Sequence, residues 1–187
     1  MKTVTTLLVA TAVAFLSASV ALGQADQADR DELDQLFAQL GDPEVLDAPR
    51  IINRIARIWS RSGSPTADLM LERGRTALAG ENYIVAVEHF TALIDHTPEF
   101  AEAWNARATA YFLMGEYGLS VSDIAETLKR NPVHFGALAG LGMIYEEVGE
   151  PENAYAAYRA AQSVNPHLEN VNRAVDRLRL AGIGRAI

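Results

Sequence analysis

The four histidines are the side chains of this 187-residue chain best suited to metal binding or proton transfer. Three of them, His96, His134 and His167, stand within two residues of a proline. Zinc needs its ligands at about 2 Å, so these imidazoles can share an ion only if the fold brings them together. His89 follows Glu88 and has no other partner in the sequence. Whether the histidines can bind a metal therefore depends on the secondary-structure elements that separate them.

Other catalytic patterns are weak. Gly136, Gly140 and Gly142 follow no predicted strand, so close helix packing explains them better than a phosphate-binding loop. No serine lies in a strand-to-helix elbow. The chain has no cysteine, which excludes disulfides, thiolate metal sites, covalent c-type haem and a lipid-modified cysteine. We predict a protein that is not an enzyme and carries no cofactor and no metal.

The charge of the chain argues against nucleic acid as a partner. The formal net charge is −8, and an acidic protein is repelled by phosphate backbones. The exception is an arginine stripe, Arg50, Arg54, Arg57 and Arg61. This stripe could touch anionic lipid or an acidic partner, but we expect it to pair with the acidic stretch 26–34 or with Glu72.

A period of 34 residues organises the middle of the chain. Pro98, Pro132 and Pro166 are in register, and large and small side chains repeat before each of them. The aligned sets are Gly74, Ala108 and Gly142; Tyr83, Tyr117 and Pro151; Ala86, Ser120 and Ala154; Phe90, Ile124 and Tyr158; and, in the second and third copies only, Trp104 with Leu138, Tyr111 with Tyr145 and Gly115 with Gly149. Each proline should end a helix at about Thr97, Asn131 or Asn165.

This pattern resembles the tetratricopeptide repeat, whose 34-residue unit is a helical hairpin with small residues at the crossing and a proline after the second helix. The resemblance covers about 67–168. It implies an all-α, right-handed solenoid of three hairpins, in which small residues let paired helices approach closely. Successive joints would then lie about 10 Å or more apart, so we expect the three joint histidines to be solvated and not to share a metal.

The first 25 residues are typical of a secretory signal peptide: Lys2, an apolar run, then small residues. We expect cleavage after Ala25, with Ala21 as the second choice; the alternative is an uncleaved membrane anchor. Cleavage would leave 24 acidic and 15 basic side chains, net −9, and no stable membrane insertion. Export of a cysteine-free chain indicates a bacterial protein of the periplasm, or a secreted one.

Helices are also predicted outside the repeats. Arg30 to Leu40 and about Pro43 to Ser62 form an N-terminal extension, and the isoleucine and Trp59 face of the second helix is expected to pack on the first helix of repeat one. A helix at about His167 to Ala181 would cap the stack. The predicted organisation is 1–25 signal peptide, 26–66 N-terminal helical extension, 67–100, 101–134 and 135–168 repeats one to three, and 169–187 capping helix and tail.

The resemblance also implies a binding site, because the first helices of such hairpins line a concave groove that takes a peptide or a helix. Carried over by position, the groove residues are Leu71, Arg75, Leu78, Asn105, Thr109, Phe112, Ala139, Met143 and Glu146. Arg75 would be its cationic anchor. The lysine and asparagine set with which some members clamp a C-terminal carboxylate is not reproduced, so a chaperone-tail receptor is not favoured.

We therefore predict a protein-interaction scaffold of the bacterial cell envelope, whose groove binds an apolar or amphipathic segment of another protein. Two alternatives stay open. The N-terminal helices could fold back and cover part of the groove. The chain could also be a structural homo-oligomer that self-associates through the groove or an exposed Trp59 face and binds no foreign peptide.

Overall fold

The computed structural model describes residues 27–42 and 44–184, which form nine helices and no strand. The helices are α1 (27–40), α2 (Ala48–Trp59), α3 (Pro65–Ala79), α4 (Tyr83–His96), α5 (Ala101–Leu113), α6 (Tyr117–Arg130), α7 (Phe135–Glu147), α8 (Pro151–Val164) and α9 (Glu169–Leu180). The predicted all-α fold is confirmed. The predicted signal peptide lies outside the described residues, and no helix within them is long and apolar enough to cross a membrane.

Three helical hairpins, α3–α4, α5–α6 and α7–α8, make up the repeats, and α9 packs on α8. Their second helices end where the prolines predict. Thr97, Asn131 and Asn165 are the C-terminal caps of α4, α6 and α8, one residue before each proline. The helices stop there because proline disfavours helical geometry in the residue before it and has no N–H to donate.

The small residues lie at the helix crossings, as expected. A Cβ atom added to Gly74 would be 2.3 Å from the ring of Phe90, and one added to Gly142 would be 2.5 Å from the ring of Tyr158. In the second repeat the Ser120 hydroxyl donates a 2.8 Å hydrogen bond to the Ala108 carbonyl. Each hairpin is therefore closed by contact between the backbone of its first helix and a side chain of its second.

The N-terminal extension is a hairpin of α1 and α2 with a small core of its own. Six buried side chains of this N-terminal hairpin form that core: Leu36, Leu40, Ala48, Ile51, Ile55 and Ile58. Helix α2 is shorter than predicted because Asp47 caps its N-terminus and Pro49 occupies its first turn. Ser64 and Pro65 start α3 in the same way.

The predicted packing of α2 on the first helix of repeat one is wrong. The apolar contacts of the N-terminal hairpin outside its own core are with Phe135, Val164 and Leu168, which flank the joints around repeat three. Trp59 belongs to this contact, stacking on His134, and is not a freely exposed face. The hairpin thus folds back along the repeats and does not extend the stack.

Candidate functional site

An apolar cavity of about 460 Å³ opens between α5, α7 and the start of α9. Helix α5 adjoins both α3 and α7, so the first helices of the hairpins share one face of the molecule. The wall side chains include Phe112 and Leu113 of α5 and Met143 of α7, with Ile124 of α6 also lining the cavity. We call this space the groove cavity. It suits an apolar side chain of a partner.

The structure brings five of the nine predicted groove residues together. Asn105, Thr109, Phe112, Ala139 and Met143 line the groove cavity. Met143 is 41% exposed, which leaves an apolar side chain open to solvent at the cavity. Asn105, Thr109 and Asn170 supply polar groups among the lining residues.

The other four predicted residues lie elsewhere. Leu71 is 2% exposed and belongs to the core of the first repeat, and Leu78 packs against that same core. Leu71 is therefore closed to a partner, whereas Leu78 is partly exposed. A helix presents more than one apolar row, and repeat position alone does not separate the row that faces the groove from the row that packs inside the hairpin.

Arg75 is already paired within the chain. One of its terminal nitrogens donates to Glu102 Oε1 at 2.6 Å and to the Ser60 hydroxyl at 3.0 Å. The other carboxylate oxygen of Glu102 lies 3.1 Å from His134 Nε2. A carboxylate of this chain therefore occupies the place at which an anionic group of a partner would meet Arg75.

Glu146 is also paired internally. Its Oε2 accepts a hydrogen bond from the Tyr158 hydroxyl at 2.9 Å, and Arg177 of α9 lies 2.8 Å from Oε1. Burial, and then the neighbouring carboxylate, raise the pKa of Tyr158 above its ordinary value. Glu146 thus joins the third repeat to the capping helix.

His134 is not the solvated joint residue that the sequence predicted. It is 4% exposed, and Trp59 stacks on it at a ring-centroid distance of 4.5 Å. Its Nδ1 accepts a hydrogen bond from the Ala137 N–H at 3.0 Å and so caps α7. The repeat register held a signal for this burial: Phe100 and Leu168 stand 34 residues to either side, and both are at least half-buried.

His167 also serves the N-terminal hairpin. Its Nε2 lies 3.1 Å from the Leu40 carbonyl oxygen and 3.0 Å from that of Asp42, so this nitrogen must be the donor. His134 and His167, two of the three joint histidines, therefore hold the hairpin. Within the described part of the chain no group of three or more His, Asp or Glu side chains could hold a metal ion.

The arginine stripe stabilises the hairpin internally. Arg54 donates two hydrogen bonds, of 2.5 and 2.6 Å, to the carboxylate of Glu32, and Arg61 lies 2.7 Å from Asp29. The predicted pairing with the acidic stretch is confirmed for these two arginines, whereas Arg50 pairs with Asp47. The hydrogen bond from Arg54 is the main reason that the pKa of Glu32 is lowered.

Comparison with known proteins agrees with this geometry. The family profile of the tetratricopeptide repeat matches residues 71–123 and 114–167. A TPR repeat-containing protein of Rhizobium etli is 34% identical over 163 residues, covering 84% of this chain and 79% of that protein. The chain belongs to the tetratricopeptide-repeat family.

Solved structures show the same fold. The first TPR domain of Spaghetti (RPAP3), bound to an HSP90 peptide, has a TM-score of 0.59 at 20% identity and covers 62% of this chain and 91% of that one. The Yersinia enterocolitica type III secretion chaperone SycD, in complex with a peptide of the translocator YopD, has a TM-score of 0.60 at 14% identity, covering 64% and 96%.

Proposed function

We propose that this protein is a non-enzymatic protein-interaction module of the bacterial cell envelope. In this proposal the groove cavity binds an apolar or amphipathic segment of a partner protein. The observation that carries it is the cavity itself: about 460 Å³, apolar along most of its wall and open at Met143. Repeat folds act through such surfaces, and a few apolar anchors supply most of the binding energy.

The similar structures support the peptide part of the proposal. The Spaghetti domain is bound to an HSP90 peptide and SycD to a peptide of YopD, and both share the fold of this chain. Neither identifies the partner here, because one fold serves many functions. The partner chemistry is inferred from the cavity wall, in which apolar side chains, among them Phe112, Leu113 and Met143, outnumber the polar ones.

The proposed anchor set differs from the one that the sequence indicated. Phe112, Ala139 and Met143 remain, with Asn105 and Thr109 placed to bond a peptide backbone. Leu71 lies in the core, Leu78 packs against it, and Arg75 is paired with Glu102. A substitution of Arg75 would disturb that pair as well as any partner, so it is a poor test.

Met143→Glu is the sharper test. It places a charge at the apolar cavity and should lower partner affinity at least about tenfold. Ile84→Glu is the matched control, because Ile84 is another exposed apolar residue and lies on the second helix of repeat one. The measurement is affinity capture from an envelope extract of the source organism, with both variants beside the unchanged protein, followed by mass spectrometry.

A protein retained by the unchanged chain and by Ile84→Glu, and lost with Met143→Glu, supports the proposal. Equal retention by both variants rejects the groove cavity as the site. If nothing is retained and light scattering gives a defined oligomer, self-association is the better account.

Export is the other part of the proposal. It is supported by the charged start, apolar run and small residues of 1–25. N-terminal sequencing of the protein from fractionated cells tests it, with a start at Asp26 expected and a start at Met1 contradicting it.

A further inference from the structure

The N-terminal hairpin has buried side chains of its own and contacts the repeats through a separate surface. Its own buried core contains six of its side chains, and Phe135 is the buried apolar residue that the repeats contribute to that cluster. The rings and apolar side chains beneath the hairpin are those of His134, Phe135, Val164 and Leu168, which we call the hairpin seat, and His167 adds hydrogen bonds to the Leu40 and Asp42 carbonyls beside it. A body with its own core can separate from its neighbour without unfolding it.

One side chain of the hairpin is central to this contact. Trp59 stacks on His134 and lies 5.1 Å, between ring centroids, from Phe135. A tryptophan packed against two rings is the kind of residue that supplies most of the energy of an interface. The polar contacts beside it, Arg75 with Ser60 and His134 with Glu102, fix its orientation.

The hairpin seat is continuous with the groove cavity. Phe135 and Leu168 contact the hairpin on one side and line the cavity on the other. The hairpin therefore covers one end of a longer apolar surface and leaves the other end open. Its occupant α2 is an amphipathic helix with isoleucines and Trp59 on one face and arginines on another.

The connection between α2 and α3 is short, running from Ser60 to Ser64. Ser62 donates from both its N–H and its hydroxyl to Asp68 of α3, so the end of the connection is fixed to the repeats. Arg61 pairs with Asp29 and belongs to the hairpin. Residues 60–62 therefore include side chains bonded to the hairpin and side chains bonded to the repeats.

We propose that the N-terminal hairpin is a displaceable internal occupant of a helix-docking surface. When it swings away about residues 60–62, an amphipathic helix of a partner, with large apolar residues spaced as in α2, takes the hairpin seat. This inference rests on the proposed function. It adds a state of the protein in which the N-terminal hairpin occupies the hairpin seat and only the groove cavity is open to a partner. The apparent affinity for a partner is reduced by the fraction of molecules in which the hairpin is seated.

The test uses α2 itself as the probe. A fluorescently labelled peptide of residues 44–62 is titrated into the purified protein and into its Trp59→Ala variant, and anisotropy gives the two affinities. We expect the peptide to bind the variant about 10- to 100-fold more tightly, because the seat is vacant in more molecules. Leu46→Ala, at an exposed position beside α2, is the matched control and should behave as the unchanged protein.

A peptide with Ile55 and Trp59 both replaced by alanine should bind neither protein. Equal affinity of the original peptide for the unchanged protein and Trp59→Ala, or binding to neither, overturns the proposal. Hydrogen exchange on the unchanged protein is independent of the variant's folding: α1 and α2 should exchange before α5 to α8, and exchange together with them would also overturn it.

The two proposals fail separately. Tighter peptide binding by Trp59→Ala with no partner captured rejects the adaptor role and keeps the seat as a helix-docking surface. Capture that depends on Met143 with no effect of Trp59→Ala on the peptide rejects the displaceable hairpin alone.

Discussion

Residue 81 shows how a repeat protein departs from its own pattern at one position. Gly115 and Gly149 have φ angles of +78° and +75° in the turns of the second and third hairpins. The equivalent residue of the first hairpin is Glu81, with a φ of +58°. L-residues with a side chain avoid this left-handed region because Cβ approaches the carbonyl oxygen, whereas glycine does not. The first turn is therefore strained.

Glu81→Gly should stabilise the protein by about 0.5–1 kcal/mol, because it removes this strain at an exposed site. The measurement is the free energy of unfolding from urea titration. Gly115→Ala is the reciprocal variant and should destabilise the protein by about 1 kcal/mol, since it introduces the strain. Destabilisation by Glu81→Gly would show that the turn tolerates its glutamate without cost.

At the scale of the elements, two of the three glycines of helix α7 have different surroundings. A Cβ on Gly142 of α7 would lie 2.5 Å from ring atoms of Tyr158, which is closer than carbon atoms can pack. A Cβ on Gly140, two residues earlier, would meet only the Ile124 Cδ1 atom, at 3.8 Å. Close helix crossing therefore requires glycine at residue 142 and not at residue 140.

Gly142→Ala should destabilise the protein by about 1–3 kcal/mol through overpacking at the crossing. Gly140→Ala should stabilise it by about 0.5–1 kcal/mol, because alanine loses less backbone entropy in a helix. Thermal and urea unfolding of the two variants give the comparison. If both shift stability in the same direction, the close contact between α7 and Tyr158 does not limit the packing of this hairpin.

At the scale of the whole molecule, the repeating features were predicted more fully from the sequence than the packing of the N-terminal hairpin on the repeats. The proline register predicted the ends of α4, α6 and α8, and the small residues predicted the crossings at Gly74 and Gly142. The helix ends and the helix crossings depend on contacts within one hairpin. Each of the three copies therefore shows the same pattern in the sequence. The periodic pattern was thus sufficient for the repeats.

The N-terminal hairpin depends on contacts that occur once. Trp59 and His134 are 75 positions apart, and nothing in the sequence of α2 distinguishes packing on α3 from packing on the joints of repeat three. The ion pair of Arg75 could not be predicted for the same reason, since its partner Glu102 belongs to the next repeat. The sequence therefore predicted part of the candidate site. The residues of the cavity wall follow the repeat register, whereas the contact of the N-terminal hairpin beside the cavity does not.

The central claim, that the groove cavity binds a partner segment, is tested most directly by cross-linking at Met143. A photoreactive phenylalanine derivative replaces Met143 in one variant and Ile84 in another, and cells that make each variant are irradiated. Because Met143 lines the cavity and Ile84 lies on the second helix of repeat one, we expect a covalent adduct at residue 143 alone, mapped by mass spectrometry to an apolar segment of one protein. Adducts at neither position, or equally at both, would contradict it.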